Sequence, residues 1–242
     1  SGLMMNEKSV KTVDLARIGF GQAVAVTPIQ LISGVSAVVN GGMYHAPHFV
    51  STITDQNGKT VYEHNGEERR VISQATSEKM RGLLENVVKE GSGKKAGVAG
   101  YRIGGKTGTA QKYENGAIAQ GKYVSSFVGF APVENPKYAV LMIIDEPGTY
   151  AYYGSIVAAP YVGNVFSKIF ESKGIKPTEK IDDKELINVP YLCGKSVNTA
   201  INELETLGIK YEISGEGETV SVTLPSAGEQ IAKGDYILLG LE

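Results

Sequence analysis

Apolar residues recur at Ile29, Ile32, Val35, Ala37, Val38 and Val39, which is helical spacing. The short apolar segment 23–26 precedes them. Thr27 is a good N-cap, Pro28 suits the first helical position, and Asn40-Gly41-Gly42 stops the run. The pattern predicts a largely buried helix over Pro28–Val39. Residues 49–53 and 60–62 read as strands joined by a turn at Asp55-Gln56-Asn57-Gly58, so a hairpin follows. Ser73 or Thr76 then caps a second helix. It collects Met80, Leu83, Leu84, Val87 and Val88 on one face and ends at Gly91.

A strand-rich block comes next. Residues 101–109 predict a strand, 112–122 a polar loop, and 123–131 a second strand. Tyr138–Asp145 is almost wholly apolar up to its last residue and predicts a strand central in a sheet. A helix over 158–173 should bury Val162, Val165, Phe166, Ile169 and Phe170. Together these predict an α+β fold, an antiparallel sheet covered by helices, over residues 1–176. The charged run 177–187 reads as a linker. Residues 188–242 then form a small βαβββ unit. Its helix, over 196–207, turns Ala200, Ile201, Leu204 and Leu207 inward. About 55 residues would be only marginally stable alone.

Composition narrows the chemistry. The 242 residues carry a formal net charge of −2, which offers no electrostatic footprint for nucleic acid. The charge is uneven, because residues 188–242 hold three lysines against eight acids. A single cysteine, Cys193, excludes an internal disulfide and reads as a small buried residue. No apolar run approaches the ~20 residues of a membrane helix. The chain opens with Ser1-Gly2 rather than Met, and the expectation is a portion of a longer protein. His45, His48 and His64 lack carboxylates at ligand spacing, so no metal and no cofactor is expected.

The sharpest local signal is residues 100–111, which fit two patterns. Gly100, separated by four residues from Gly105-Lys106-Thr107, matches a phosphate-binding loop, and Asp145-Glu146 after an apolar strand could hold magnesium. A phosphate loop must leave a buried strand and enter a helix. The residues before Gly100 make a poor strand, and those after Thr107 a poor helix, so an ATPase is the weaker alternative. The second pattern is a Lys-Thr-Gly strand at Lys106-Thr107-Gly108-Thr109. A lysine and two hydroxyls can hold a terminal carboxylate by charge-assisted hydrogen bonds. Gly108 permits close backbone approach, and a substrate can lie alongside as an added strand. The Thr109 N–H is suited to donate to an oxyanion.

Further phrases stand in order around this strand. They are Gly21-Gln22 with Thr27-Pro28 and Gln30, Asn40-Gly41-Gly42, Pro47-His48, residues 104–111, Ser126-Phe127 with Phe130 and Pro132, Asn135-Pro136, Asp145-Glu146-Pro147, and Tyr153-Gly154 with Pro160. Together they resemble the C-terminal part of a class B penicillin-binding protein, a relative of the serine β-lactamases. Ser155 departs from the glycine common at its position. The phrases Val189-Pro190, Leu192, Gly194, Gly208-Ile209, Pro225, Gly228 and Gly234 resemble a PASTA domain. The resemblance implies a D,D-transpeptidase that cross-links peptidoglycan through an acylated serine. Catalytic roles fall to Lys106, Thr107 and Thr109, and substrate contacts to these with Gly108 and Gln111. It implies peptidoglycan stem peptides and β-lactam antibiotics as ligands and the upstream half of the same protein as a partner. Further implied partners are a membrane-embedded glycosyltransferase and the division or sporulation machinery, at the outer face of a Gram-positive membrane. The PASTA-like unit could instead serve as a wall- or β-lactam-binding module without catalysis, or as a spacer.

The family's nucleophile stands in a Ser-x-x-Lys at the start of a buried helix. The one instance in this chain, Ser92-Gly93-Lys94-Lys95, lies in a glycine-rich stretch close to Lys106, and Ser196-Val197-Asn198 reads as a helix cap. Neither fits the catalytic role, so the nucleophile is expected upstream of Ser1 and this chain alone is expected not to form an acyl-enzyme. Tyr150, Tyr152 and Tyr153 form an aromatic cluster that either packs or lines the groove.

Overall fold

The computed structural model describes all residues except 1, 3, 4, 20, 22, 23, 115, 116, 149, 150 and 181–185. Gln22, Ala23 and Tyr150, and the middle of the expected linker, therefore lie outside the described residues.

Helix α1 (Thr12–Gly19) buries none of its residues. Helix α2 (Pro28–Val39) opens on a capping box, in which the Gln30 N–H donates to the Thr27 hydroxyl and the Thr27 N–H to the Gln30 side chain. Only Ala37 and Val39 are buried, and Ile29 is exposed. The expectation of a largely buried helix therefore holds only at its last turn, where it meets the rest of the chain.

Strands β1 (Met43–His45), β2 (Thr52–Thr54), β3 (Thr60–Glu63) and β4 (Glu68–Arg70) make two small antiparallel pairs, β1 with β4 and β2 with β3. The predicted hairpin is present, but its first strand begins at Thr52, and Phe49 is fully exposed. Helix α3 (Gln74–Lys89) is capped by Ser73, whose hydroxyl accepts from the Thr76 N–H. Its buried face differs from the apolar stripe: Ser77 and Glu85 are buried and Leu83 is exposed.

The central sheet is antiparallel in the order β5 (Gly104–Glu114), β6 (Ala117–Ala131), β7 (Tyr138–Asp145). Two expectations change here. The segment 112–122 is mostly strand, since Tyr113 pairs with Ile118 and Glu114 with Ala117 in a lengthened hairpin. Among the described residues Tyr138–Asp145 pairs with β6 alone, so within this chain it is β6 that has a strand on both sides. One face packs on helix α5 (Ala159–Lys173), preceded by the single turn α4 (Gly154–Val157). Phe127, Val162, Phe166, Phe170, Ile103 and Ala96 form the core between them. Phe130 enters a second, smaller core with Val39 and Val133.

The last unit is strand β8 (Leu186–Asn188), helix α6 (Val197–Leu207) and strands β9 (Lys210–Ser214), β10 (Val220–Leu224), β11 (Gln230–Ala232) and β12 (Tyr236–Leu241). The order therefore has one strand more than the βαβββ expectation. The addition is β11, which pairs with β8, while β12 lies between β10 and β9. Ser196 caps α6 as expected. Ala200 and Leu204 are fully buried, whereas Cys193 is only half-buried. Between the two regions, Glu179 bonds Lys89, and the Thr178 N–H donates to the Gly100 carbonyl.

Candidate active site

Strand β5 carries Lys106, Thr107, Gly108, Thr109 and Gln111 in one run. Among the described residues its only strand partner is β6, so its other edge is open. Strand alternation sets Thr107, Thr109 and Gln111 on one face and Lys106 on the other. The lysine closes this gap by curling back, with Nζ donating to the Thr107 carbonyl at 3.0 Å and to Thr107 Oγ1 at 3.3 Å. Lys106, Thr109 and Gln111 are exposed and Thr107 is half-buried. The strand thus brings one ammonium and two hydroxyls together at an open sheet edge.

Glycine matters at two positions. A Cβ on Gly108 would stand 2.5 Å from Ser126 Oγ on the paired strand. At Gly154 a Cβ would stand 2.3 Å from the Ser126 carbonyl and 2.5 Å from the Gly108 carbonyl. Helix α4 can therefore lie flat on the strand pair, and the Gly154 N–H donates to Thr109 Oγ1 at 3.1 Å. The Ser125 hydroxyl, buried, donates to the Tyr152 carbonyl and ties the same segment down. Thr109 keeps its own proton for another acceptor.

Beside this strand lies the aromatic cluster. Tyr123, the register partner of Gln111, stacks on Tyr152 with ring centroids 4.0 Å apart, and Tyr152 meets Tyr153 at 4.5 Å. The hydrogen bond to the Tyr153 hydroxyl pushes the Tyr152 phenol up to about 12. Further along the hairpin, Lys112 contacts Asp145 at 2.9 Å and Glu146 at 2.6 Å. These bonds raise the lysine and, together with Lys122, lower Glu146. The sequence pattern missed this cluster because its partners are more than thirty residues apart.

The phosphate-loop reading does not survive the geometry. Lys106 and Thr107 lie inside one continuous strand, with no helix after them, and Asp145 and Glu146 are occupied by Lys112. Among the described residues no group of three or more His, Cys, Asp or Glu side chains could hold a metal. His48 and His64 stack with ring centroids 3.7 Å apart. Ser92 sits in an exposed turn, not at the start of a buried helix, with its Oγ 3.2 Å from Thr107 Oγ1.

A strand of this kind, flanked by helices on one sheet, is the arrangement of penicillin-binding transpeptidases. The family model for the penicillin binding protein transpeptidase domain matches residues 1–171, and the chain belongs to that family. The PASTA domain model matches residues 187–242. Stage V sporulation protein D of Bacillus subtilis is 37% identical over 98% of this chain and 38% of its own length. The probable peptidoglycan D,D-transpeptidase PenA of Neisseria gonorrhoeae is 31% identical over 75% of this chain and 30% of its own length. The chain therefore spans only about a third of these relatives. Among solved structures, penicillin-binding protein 3 of Mycobacterium tuberculosis in complex with ampicillin superposes with a TM-score of 0.66. It is 26% identical, covering 74% of this chain and 42% of that one. Penicillin-binding protein 2X of Streptococcus thermophilus covers the whole chain and 37% of its own, with a TM-score of 0.56 at 21% identity, a likeness of fold.

Proposed function

We propose that this chain is the carboxylate-binding portion of a serine D,D-transpeptidase that cross-links peptidoglycan. The observation that carries the reading is the open edge of β5, where Lys106 meets Thr107 and Thr109 follows on the same strand face as Thr107. A stem peptide ending in D-alanine presents an extended backbone and a terminal carboxylate. It can add to β5 as a strand, its carboxylate held by the Lys106 ammonium and the two hydroxyls. The Thr109 N–H serves as an oxyanion donor as the serine attacks, a contact worth roughly 3–4 kcal/mol. The acyl-serine then passes to an amine of a neighbouring strand. Gln111 borders the same edge. β-Lactams, with a carboxylate beside a strained amide, compete for this site, and no cofactor takes part.

In the whole protein the nucleophilic serine and its lysine base come from the segment preceding these residues. The enzyme works on the outer face of the cell membrane beside a membrane-embedded glycosyltransferase and the division or sporulation machinery. The sporulation role draws support from the stage V sporulation relative. Among the described residues no helix is long and apolar enough to cross a membrane.

Fluorescent penicillin tests the reading. The full-length protein should become covalently labelled on denaturing electrophoresis, and the 242-residue chain alone should not. Lys106→Ala in the full-length protein should slow labelling at least about a hundredfold, the loss expected when a buried-in-complex charged contact is removed. Labelling of the isolated chain, or undiminished labelling of the variant, would overturn it.

A further inference from the structure

We propose that Ser92 is a positioning residue of the carboxylate site, acting by orienting the hydroxyl of Thr107; the inference rests on the reading of β5 just given. Ser92 Oγ and Thr107 Oγ1 stand 3.2 Å apart, from positions fifteen apart in sequence. The same Thr107 oxygen receives the Lys106 ammonium at 3.3 Å. A hydroxyl has one proton and two lone pairs. Lys106 can only donate, so it fills one lone pair. The contact allows either hydroxyl to donate, and in the proposed arrangement the donor is Ser92, whose proton fills the other lone pair. The single proton of Thr107 then has no use within the protein and is left for an incoming carboxylate. That alignment is made before the ligand arrives, so the ligand does not have to order a free rotor. Each bond in the chain from Ser92 through Thr107 to the anion also polarises the next.

The surroundings hold Ser92 in place while leaving its side chain accessible. Its turn follows α3 and is closed by the Gly91 N–H on the Asn86 carbonyl at 3.2 Å and by the Gly93 N–H on the Val87 carbonyl at 2.9 Å. On the far side the Ala96 N–H bonds the Gly93 carbonyl at 2.9 Å and leads into the single 3-10 turn Lys94–Ala96. Ala96 is completely buried in the main core. An exposed hydroxyl on an immobilised backbone is well placed to orient a neighbour. The Ser-x-x-Lys spacing at Ser92 thus marks an auxiliary hydroxyl and not the nucleophile.

The test uses the full-length protein and compares acylation by a penicillin and by its methyl ester, which lacks the anion. Ser92→Ala should slow acylation by the acid about tenfold and leave the ester unchanged. Ser92→Thr, which restores a hydroxyl, should recover the acid rate. In a Thr107→Ala background the Ser92→Ala change should have no further effect, because the partner is gone. The melting temperature should be the same in all Ser92 variants. Acylation of Ser92→Ala at the unmodified rate overturns the proposal, as does equal slowing of acid and ester or a full additive loss with Thr107→Ala. Should Lys106→Ala and Thr107→Ala themselves acylate normally, the reading of β5 fails and the Ser92 proposal falls with it.

Discussion

Glu85 is the buried charge on which α3 is anchored. Its carboxylate receives Arg102 Nε at 2.6 Å and Nη2 at 2.5 Å, and Lys89 stands 3.1 Å away. Arg102 reaches on to Glu134 at 2.8 Å. The Arg102 bonds hold Glu85 below its ordinary value of 4.5 despite the opposing effect of burial. A carboxyl group lowered in the folded state stabilises the fold above its unfolded value, and the contribution is lost as pH falls through the folded value. Thermal stability should therefore decline as pH drops below 4.5, and Glu85→Gln should flatten that decline while lowering stability at neutral pH by about 2 kcal/mol. Melting curves from pH 3 to 7 would show both effects. None of this was legible from periodicity, because Glu85 lies off the apolar stripe of α3 and its partner Arg102 belongs to another segment.

At the scale of elements, the reading succeeded where pattern and capping agree. Thr27, Ser73 and Ser196 each cap the helix expected of them. It failed over residues 112–122, where charges replaced alternation. That part of the hairpin is held by ion pairs, Lys122 with Glu114 at 2.8 Å and Lys112 with Glu146, and by the facing Tyr113 and Ile118. Packing of α4 on β5 was equally invisible, since it depends on Gly154 meeting two carbonyls. Gly154→Ala should lift α4 away, break the bond to Thr109 Oγ1 and slow acylation of the full-length protein about tenfold or more. The proposed carboxylate contacts at Lys106 stay chemically intact in that variant. Penicillin acylation kinetics, with circular dichroism to confirm folding, would measure it; a rate equal to that of the unmodified protein would refute the coupling of α4 to the strand.

At the scale of the whole molecule, the C-terminal unit does not hang free. In β12 Ile237 and Leu239 point into the unit's own core, while Leu238 faces the other way and is buried against Ala151 and Val157. Leu224, Ile144 and Ile156 surround that contact. Lys95, half-buried, is lowered by burial and partly restored by the charge of Glu212 of β9. Leu238→Asp should abolish the docking, at a cost of about 3 kcal/mol from lost burial and an unpaired charge. Hydrogen exchange should then accelerate at residues 151–157 while Ile237 and Leu239 stay protected. The consecutive apolar residues at 237–239 were a sequence sign of a strand covered on both faces. What covers the second face could not be read locally, because Leu238 meets residues some eighty positions earlier.

The amino-acid sequence by itself determined the helices, their caps, most strands and the run Lys106-Thr107-Gly108-Thr109, since each depends on neighbours a few residues apart. It also held the ordered phrases by which the family could be recognised. Tertiary structure alone decided that among the described residues β6 lies between β5 and β7, that Glu85 is buried on Arg102, and that Leu238 docks the C-terminal unit. It also decided that Ser92 meets Thr107. Those outcomes depend on which distant surfaces meet, and burial, charge pairing and hydroxyl orientation are properties of the meeting and not of either segment alone.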